Sequence, residues 1–124
     1  MVKLVKSIYT GSDVTSLGEL SATDSIDQGI AGAITALTDA ATITPDLNAS
    51  NNFSVTLAGN RTLANPTNIT AGQSGSIFIT QDGTGSRTLA YGSYFKFAAG
   101  TAPTLSTAAA SVDRIDYVVA STTK

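Results

Sequence analysis

Neither cysteine nor histidine occurs in this 124-residue chain. The first absence excludes disulfide staples and thiolate metal sites, and it removes any mark of redox compartment. Together the two absences remove the common zinc ligand sets, the Ser-His-Asp and Cys-His nucleophile systems, and the side chain best suited to proton transfer near neutral pH. No enzymatic activity and no cofactor or metal are expected. Charge is also scarce, at 13% of residues against the ~25% usual for a globular domain. Thr, Ser, Ala, Asn and Gly take its place, and a surface poor in long charged side chains loses little entropy on docking, which points to assembly. The formal net charge of −2 argues against a nucleic-acid partner, since such proteins carry a basic face. No apolar run reaches the roughly 18 residues a membrane helix needs, and MVKLVKSIYTGSD at the start has no apolar core of signal-peptide length. No membrane partner is expected, and the product is expected to be made in the cytoplasm.

The 42% hydrophobic content is that of a folded chain, and the length fits one domain with room for a small appendage. The chain is organised around Asn52 to Thr88, NFSVTLAGNRTLANPTNITAGQSGSIFITQDGTGSRTL at its centre. Here short alternating runs are cut by Gly-Asn, Asn-Pro-Thr-Asn, Ala-Gly-Gln-Ser-Gly and Gln-Asp-Gly-Thr-Gly, the pattern of short strands between turns. Phe53, Val55 and Leu57 share one parity and Ser54 and Thr56 the other, so one side faces a core. Further strands are expected at Lys3 to Tyr9, Ala41 to Thr44, Arg61 to Leu63, Ile77 to Thr80, Arg87 to Tyr91, Ser93 to Phe97 and Ser111 to Ala120. Gly92 reads as a hairpin or bulge. Val14 to Leu20 fits a short strand or an extended arm.

From Asp24 to Ala40 two readings stand. Ile26, Ile30, Ile34 and Leu37 recur at helical spacing, and Asp24 or Ser25 could cap a helix. Gly29 and Gly32 oppose it at about 1 kcal/mol each, which leaves a linker as the alternative. Roughly seven to nine short strands with turns between them predict an all-β fold, an antiparallel β-sandwich or jelly-roll-like barrel. Its expected core is Ile43, Phe53, Val55, Leu57, Leu63, Ile77, Ile79, Leu89, Phe95, Phe97, Ile115, Tyr117 and Val119. Residues 1–34 are assigned to an extended N-terminal arm and residues 35–124 to the β domain. The arm's Leu4, Ile8, Val14, Leu17, Leu20 and Ile26 are too sparse for a core of their own, so they are the expected contacts with another chain or a neighbouring subunit. A chain starting near Gly32 is expected to fold but to attach more weakly.

Several patterns resemble sites. Gly83-Thr84-Gly85-Ser86 lacks the Gly-Lys-Ser/Thr ending of a phosphate loop and reads as a β-turn. Asp46 to Ser50 opens like a calcium loop, but Asn51 stands where the turn glycine belongs and Leu57 where the bidentate glutamate belongs. Asp113 and Asp116 fall on opposite faces of a strand and cannot work as an acid–base pair. Asn48, Asn52, Asn60 and Asn68 sit in Asn-X-Ser/Thr triplets, read as composition and not as glycan acceptors. The acidic stretch Asp13, Glu19, Asp24, Asp27, Asp39 and Asp46 is either a solvated face or a docking surface for a basic partner. Tyr9, Tyr91, Tyr94, Tyr117 and Phe95 could form a sugar-binding patch, or pack in the core and at subunit contacts.

The runs FSVTLAGNRTLANPTN, GQSGSIFITQDGTGSRTLAYGSYFKF and GTAPTLSTAAASVDRIDYVV, within about Ala36 to Thr122, resemble a β-rich module recurrent in virion proteins of tailed bacteriophages. That module is found in tail fibres, head fibres and small capsid decoration proteins. The resemblance implies a non-enzymatic structural role in the virion. Combined with the short chain and the arm, it leads to the expectation of a capsid decoration (cement) protein, bridging and stabilising capsid subunits on the outer surface of the head. Its partners would be the major capsid protein and itself, as a homotrimer. The alternative is a tail-fibre, head-fibre or spike component that binds a host surface glycan. A carbohydrate-binding module or sugar-active enzyme is a third reading, weakened by scattered carboxylates.

Overall fold

A computed structural model describes residues 5–10, 13–19 and 32–123. It divides into two compact units, Met1–Ala31 and Gly32–Lys124. In the first, β1 (Val5–Thr10) and β2 (Asp13–Glu19) pair antiparallel, from Val5 opposite Glu19 to Thr10 opposite Asp13, with a register shift between Ile8 and Tyr9 that marks a β-bulge. These residues form a hairpin where a strand or an extended arm had both been open. Ile8, Val14 and Leu17 lie on its strands, and Leu4, Leu20 and Ile26 lie outside the described residues.

The second unit begins with β3 (Ile34–Ala36) and β4 (Thr42–Ile43). The helical spacing through Ile34 and Leu37 is therefore not realised: β3 lies beside a later strand, and that ladder outweighs a weak helical preference interrupted by glycine. The part of that reading before Gly32 lies outside the described residues. After β4 come β5 (Asn52–Leu57), β6 (Arg61–Leu63), β7 (Ser74–Gln81), β8 (Leu89–Tyr91), a 3-10 turn at Ala98–Gly100 and β9 (Val112–Val118).

These strands build two sheets, one ordered β3-β5-β7-β9 and the other β4-β6-β8. The chain passes from the first sheet to the second and back, and each pass stacks on the one before in parallel. Phe53 lies beside Ile77 and Val55 beside Ile79, while Thr42 lies beside Thr62 and Leu63 beside Tyr91. A parallel bridge between Asp46 and Thr67 forms a third corner of the coil. β9 alone runs antiparallel, Ile77 facing Ile115.

The all-β expectation and the two sheets hold. The antiparallel pairing holds only for β1 with β2 and β7 with β9; the other ladders are parallel, and a jelly roll is not what they build. Alternation at period two reports a buried face and is identical for parallel and antiparallel neighbours. The closely spaced turns looked like hairpins, but Gly59-Asn60 carries the chain from β5 across to β6 in the other sheet. Likewise β8 pairs with β6, and residues 93–97 are not a strand.

Stacking explains the core. Ile43, Leu47, Phe53, Val55, Leu57, Leu63, Ile77, Ile79 and Val119 are buried together, with Leu89, Phe95, Ile115 and Tyr117 among those packed against them. Each full burial contributes about 1.5–3 kcal/mol. Phe97 lies beside this cluster and meets Tyr91 edge-on at 4.9 Å. Leu47, beside the Asp46–Thr67 bridge, is a core residue at the third corner.

Asparagines tie successive passes at the corners. Asn52 Oδ1 accepts from the Ser76 amide at 3.1 Å, Asn60 Oδ1 from Thr88 at 3.1 Å and Asn65 Oδ1 from Tyr94 at 2.8 Å, while Asn68 Nδ2 donates to Asp46 Oδ1 at 2.7 Å. Three of the Asn-X-Ser/Thr positions are thus brackets of the stack. Ion pairs do the same: Arg61 holds Asp39 through Nε at 2.8 Å and a terminal nitrogen at 2.6 Å.

Candidate interaction cleft

β9 follows a loop of small residues, and alternation along it places Ile115 and Tyr117 toward the core and Val112, Arg114, Asp116 and Val118 outward. Between β9 and residues 94–103 opens an apolar cleft of about 760 Å³. Leu47, Ile69 and Ile77 line it from the stack, Tyr94, Phe95 and Phe97 from the loop after β8, and residues 114–120 from β9 and the two residues that follow it. Successive side chains of a strand point to opposite faces. A cavity that touches Arg114 to Val118 without a break meets that strand along its edge.

The walls are held by specific contacts. Tyr91 meets Phe95 edge-on at 5.7 Å, as it does Phe97, so its ring braces the loop from behind. The Tyr91 hydroxyl is buried without a hydrogen-bond partner, and its phenol is pushed up to about 12, first by burial and then by the Asp113 charge. Tyr117 is fixed by its hydroxyl, which donates to the Asn51 carbonyl at 2.8 Å. Gly75 sits against the same carbonyl, so closely that a β-carbon there would overlap its oxygen. Burial also raises the Tyr117 phenol.

On the outward side Arg114 donates to Asp116 at 3.0 Å, and Ser76 Oγ donates to the other Asp116 oxygen at 2.7 Å. The serine hydrogen bond, then the arginine charge, hold the Asp116 carboxyl below the usual carboxylate range. Asp113 points elsewhere, accepting from the Ser106 amide and hydroxyl at 2.9 Å each. The two carboxylates serve separate contacts, as their odd spacing predicts.

The other candidate sites resolve into turns. Asp82 Oδ1 accepts from the amides of Thr84 and Gly85 at 3.0 and 2.9 Å, Oδ2 takes Arg87 at 2.7 Å, and the Ser86 amide donates to the Thr107 carbonyl at 2.8 Å, so these three amides are engaged within the chain. The bonds to Asp82, the arginine's first, hold its carboxyl at about 2. Asp46 accepts from the Asn68 side chain and from the Asn48 amide, and these bonds, the Asn68 one first, hold its carboxyl below the usual range. No group of three or more His, Cys, Asp or Glu able to hold a metal occurs among the described residues. Of the acidic stretch, Asp39 and Asp46 are engaged within the fold, Asp13 and Glu19 lie on the hairpin strands, and Asp24 and Asp27 lie outside the described residues. Of the aromatic set, Tyr94, Phe95 and Tyr117 meet in the cleft, Tyr91 stands behind it, and Tyr9 belongs to the hairpin unit.

The second unit is thus an all-β stack with an apolar cleft bordering β9. Residues 43–120 match the family described as "Putative phage tail fibre C-terminal domain", and the chain belongs to that family. The matched span runs from β4 to just past β9 and contains every residue lining the cleft. No curated protein and no solved structure matches the chain. The resemblance to a bacteriophage virion module therefore holds, and of the two virion readings the family backs the fibre and not capsid decoration.

Proposed function

We propose that this chain is a non-enzymatic structural domain of a bacteriophage tail fibre, located in the virion, that works through protein–protein contact at β9 and its cleft. The observation that carries the reading is the family match, which takes in the whole cleft. The chemistry of the cleft supports it. Its walls are chiefly aromatic and aliphatic, with Lys96, Thr101, Arg114 and Asp116 as polar members, and such a surface suits apolar side chains with a polar rim. The attachment role of residues 1–34, through Leu4, Ile8, Val14, Leu17, Leu20 and Ile26, belongs to this proposal, with the fibre in place of the capsid as what they hold.

Image reconstruction of virions labelled with an antibody to this chain tests the reading. Label on the tail fibres is expected. Label on the outer surface of the head would overturn it and restore the decoration reading with the major capsid protein as partner.

A further inference from the structure

We infer that β9 is a self-pairing edge: two copies of this chain join their four-stranded sheets by antiparallel pairing of β9 with β9 about a two-fold axis through Ile115. The inference rests on the reading of this region as a protein contact and names the partner. β9 is the last strand in the order β3-β5-β7-β9, so its second edge carries no strand among the described residues. Such an edge is a template for another strand.

Backbone polarity shows which groups face that edge. The Val119 amide donates to the Gln73 carbonyl, and the Gln81 amide donates to the Ser111 carbonyl. Residues of odd number therefore turn their N–H and C=O toward β7, and in a strand the residues between turn theirs the other way. Val112, Arg114, Asp116 and Val118 thus present their backbone groups to the open edge. They are also the residues whose side chains stand in solvent, with Val112 59% and Val118 69% exposed.

About Ile115 the strand Val112-Asp113-Arg114-Ile115-Asp116-Tyr117-Val118 sets valine against valine and arginine against aspartate on its outward face, while Asp113 and Tyr117 on the other face are unlike. With Ile115 opposite itself, Arg114 of each copy faces Asp116 of the other, and Val112 faces Val118. All of these fall at the hydrogen-bonded positions that the backbone polarity requires. Opposite charges and matched apolar side chains are the favourable cross-strand pairs. A slip of two residues in one direction sets Arg114 against Arg114, and in the other Asp116 against Asp116, so like charges oppose both neighbouring registers. A slip of one turns the wrong backbone groups outward. The cleft borders this strand along its edge, so the same contact brings the second copy to its apolar surface.

The test is the association state of the full chain by light scattering and sedimentation equilibrium. A dimer is expected, closed at two copies by the two-fold in place of the trimer that the resemblance suggested. Arg114→Asp and Asp116→Arg singly each set like charges across the axis twice, and each is expected to weaken the dimer about tenfold or more. The double exchange, Arg114→Asp with Asp116→Arg, restores opposite charges at both positions and is expected to recover it. Val118→Lys, checked for folding by circular dichroism, provides an independent disruption. A monomer at all concentrations, a trimer, or a dimer indifferent to all these changes would overturn the inference. If the chain were monomeric but the single variants still lost their place in assembled fibres, the partner would be another protein: self-pairing would fall and the contact reading would stand. Label on the head and not the fibre would remove that reading instead.

Discussion

Gln81 is a polar side chain at the end of a buried strand, only 2% exposed, and its amide works as a piece of backbone. Its Nε2 donates to the Arg87 carbonyl at 3.0 Å, and its Oε1 accepts from the Arg87 amide at 2.8 Å. Those two bonds close the loop that carries Gly85 and Ser86 at positive φ. In the stack Gln81 lies beside Leu57, so Gln81→Leu keeps the volume and the apolar neighbour while deleting both bonds. Each orphaned group costs about 1–3 kcal/mol, and the added apolar surface returns part of it. The expected net loss is about 2 kcal/mol, or a fall of about 10 °C in the unfolding midpoint of a unit this size. Gln81→Glu should cost more at pH 7, because a buried carboxylate must face the Arg87 carbonyl, and its deficit should shrink as the carboxyl protonates and can donate. Urea unfolding followed by circular dichroism measures both. A leucine variant within about 0.5 kcal/mol of the parent, or more stable than it, would refute the idea that this side chain closes the loop.

Two further perturbations follow from the same stack. The carboxyls of Asp39, Asp46, Asp82 and Asp116 are all depressed, Asp82 to about 2, so their stabilising contribution is present above the ordinary aspartate value of 3.8 and lost as pH falls toward the folded values. The melting temperature should therefore hold from pH 7 to about 4 and fall between about 4 and 2, and a midpoint at pH 2 equal to that at pH 7 would contradict these contacts. Gly75→Ala should destabilise by about 3 kcal/mol or more, since the overlap with the Asn51 carbonyl is with backbone that no rotamer change relieves. Gly83→Ala, with open space around it, should lie within about 0.5 kcal/mol of the parent.

The strands were legible in the sequence because each has one buried face. Phe53, Val55 and Leu57, then Ile77 and Ile79, alternate as they must, and all five are buried. How the strands pair was not legible from alternation. A signal for parallel stacking was present elsewhere, in the echo of Arg61-Thr62-Leu63-Ala64 by Arg87-Thr88-Leu89-Ala90, since a chain that coils meets the same environment once per turn. Even that echo is offset. The structure sets Arg61 beside Leu89 and Leu63 beside Tyr91, two residues from the sequence alignment, which preserves which face is buried but moves each contact along the strand. The two arginines accordingly find different partners, Arg61 reaching back 22 residues to Asp39 and Arg87 only 5 residues to Asp82 in its own loop.

The cleft was beyond reach for a related reason. Its walls come from Leu47, Ile69, Tyr94 to Phe97 and the edge of β9, segments distant in sequence that only the order of stacking makes neighbours. Reading Tyr94 and Phe95 as strand residues assigned them faces in a ladder that does not exist. β9 itself was assigned correctly, with Ile115 and Tyr117 inward, but a strand's alternation is silent about its position in a sheet. Only the sheet order makes β9 an edge, and only as an edge does the outward-face pattern about Ile115 acquire a consequence. In the middle of a sheet, Arg114 and Asp116 would be matched to fixed neighbours on both sides, and their mirrored placement would select nothing. At an open edge the same two charges decide which register another strand can take.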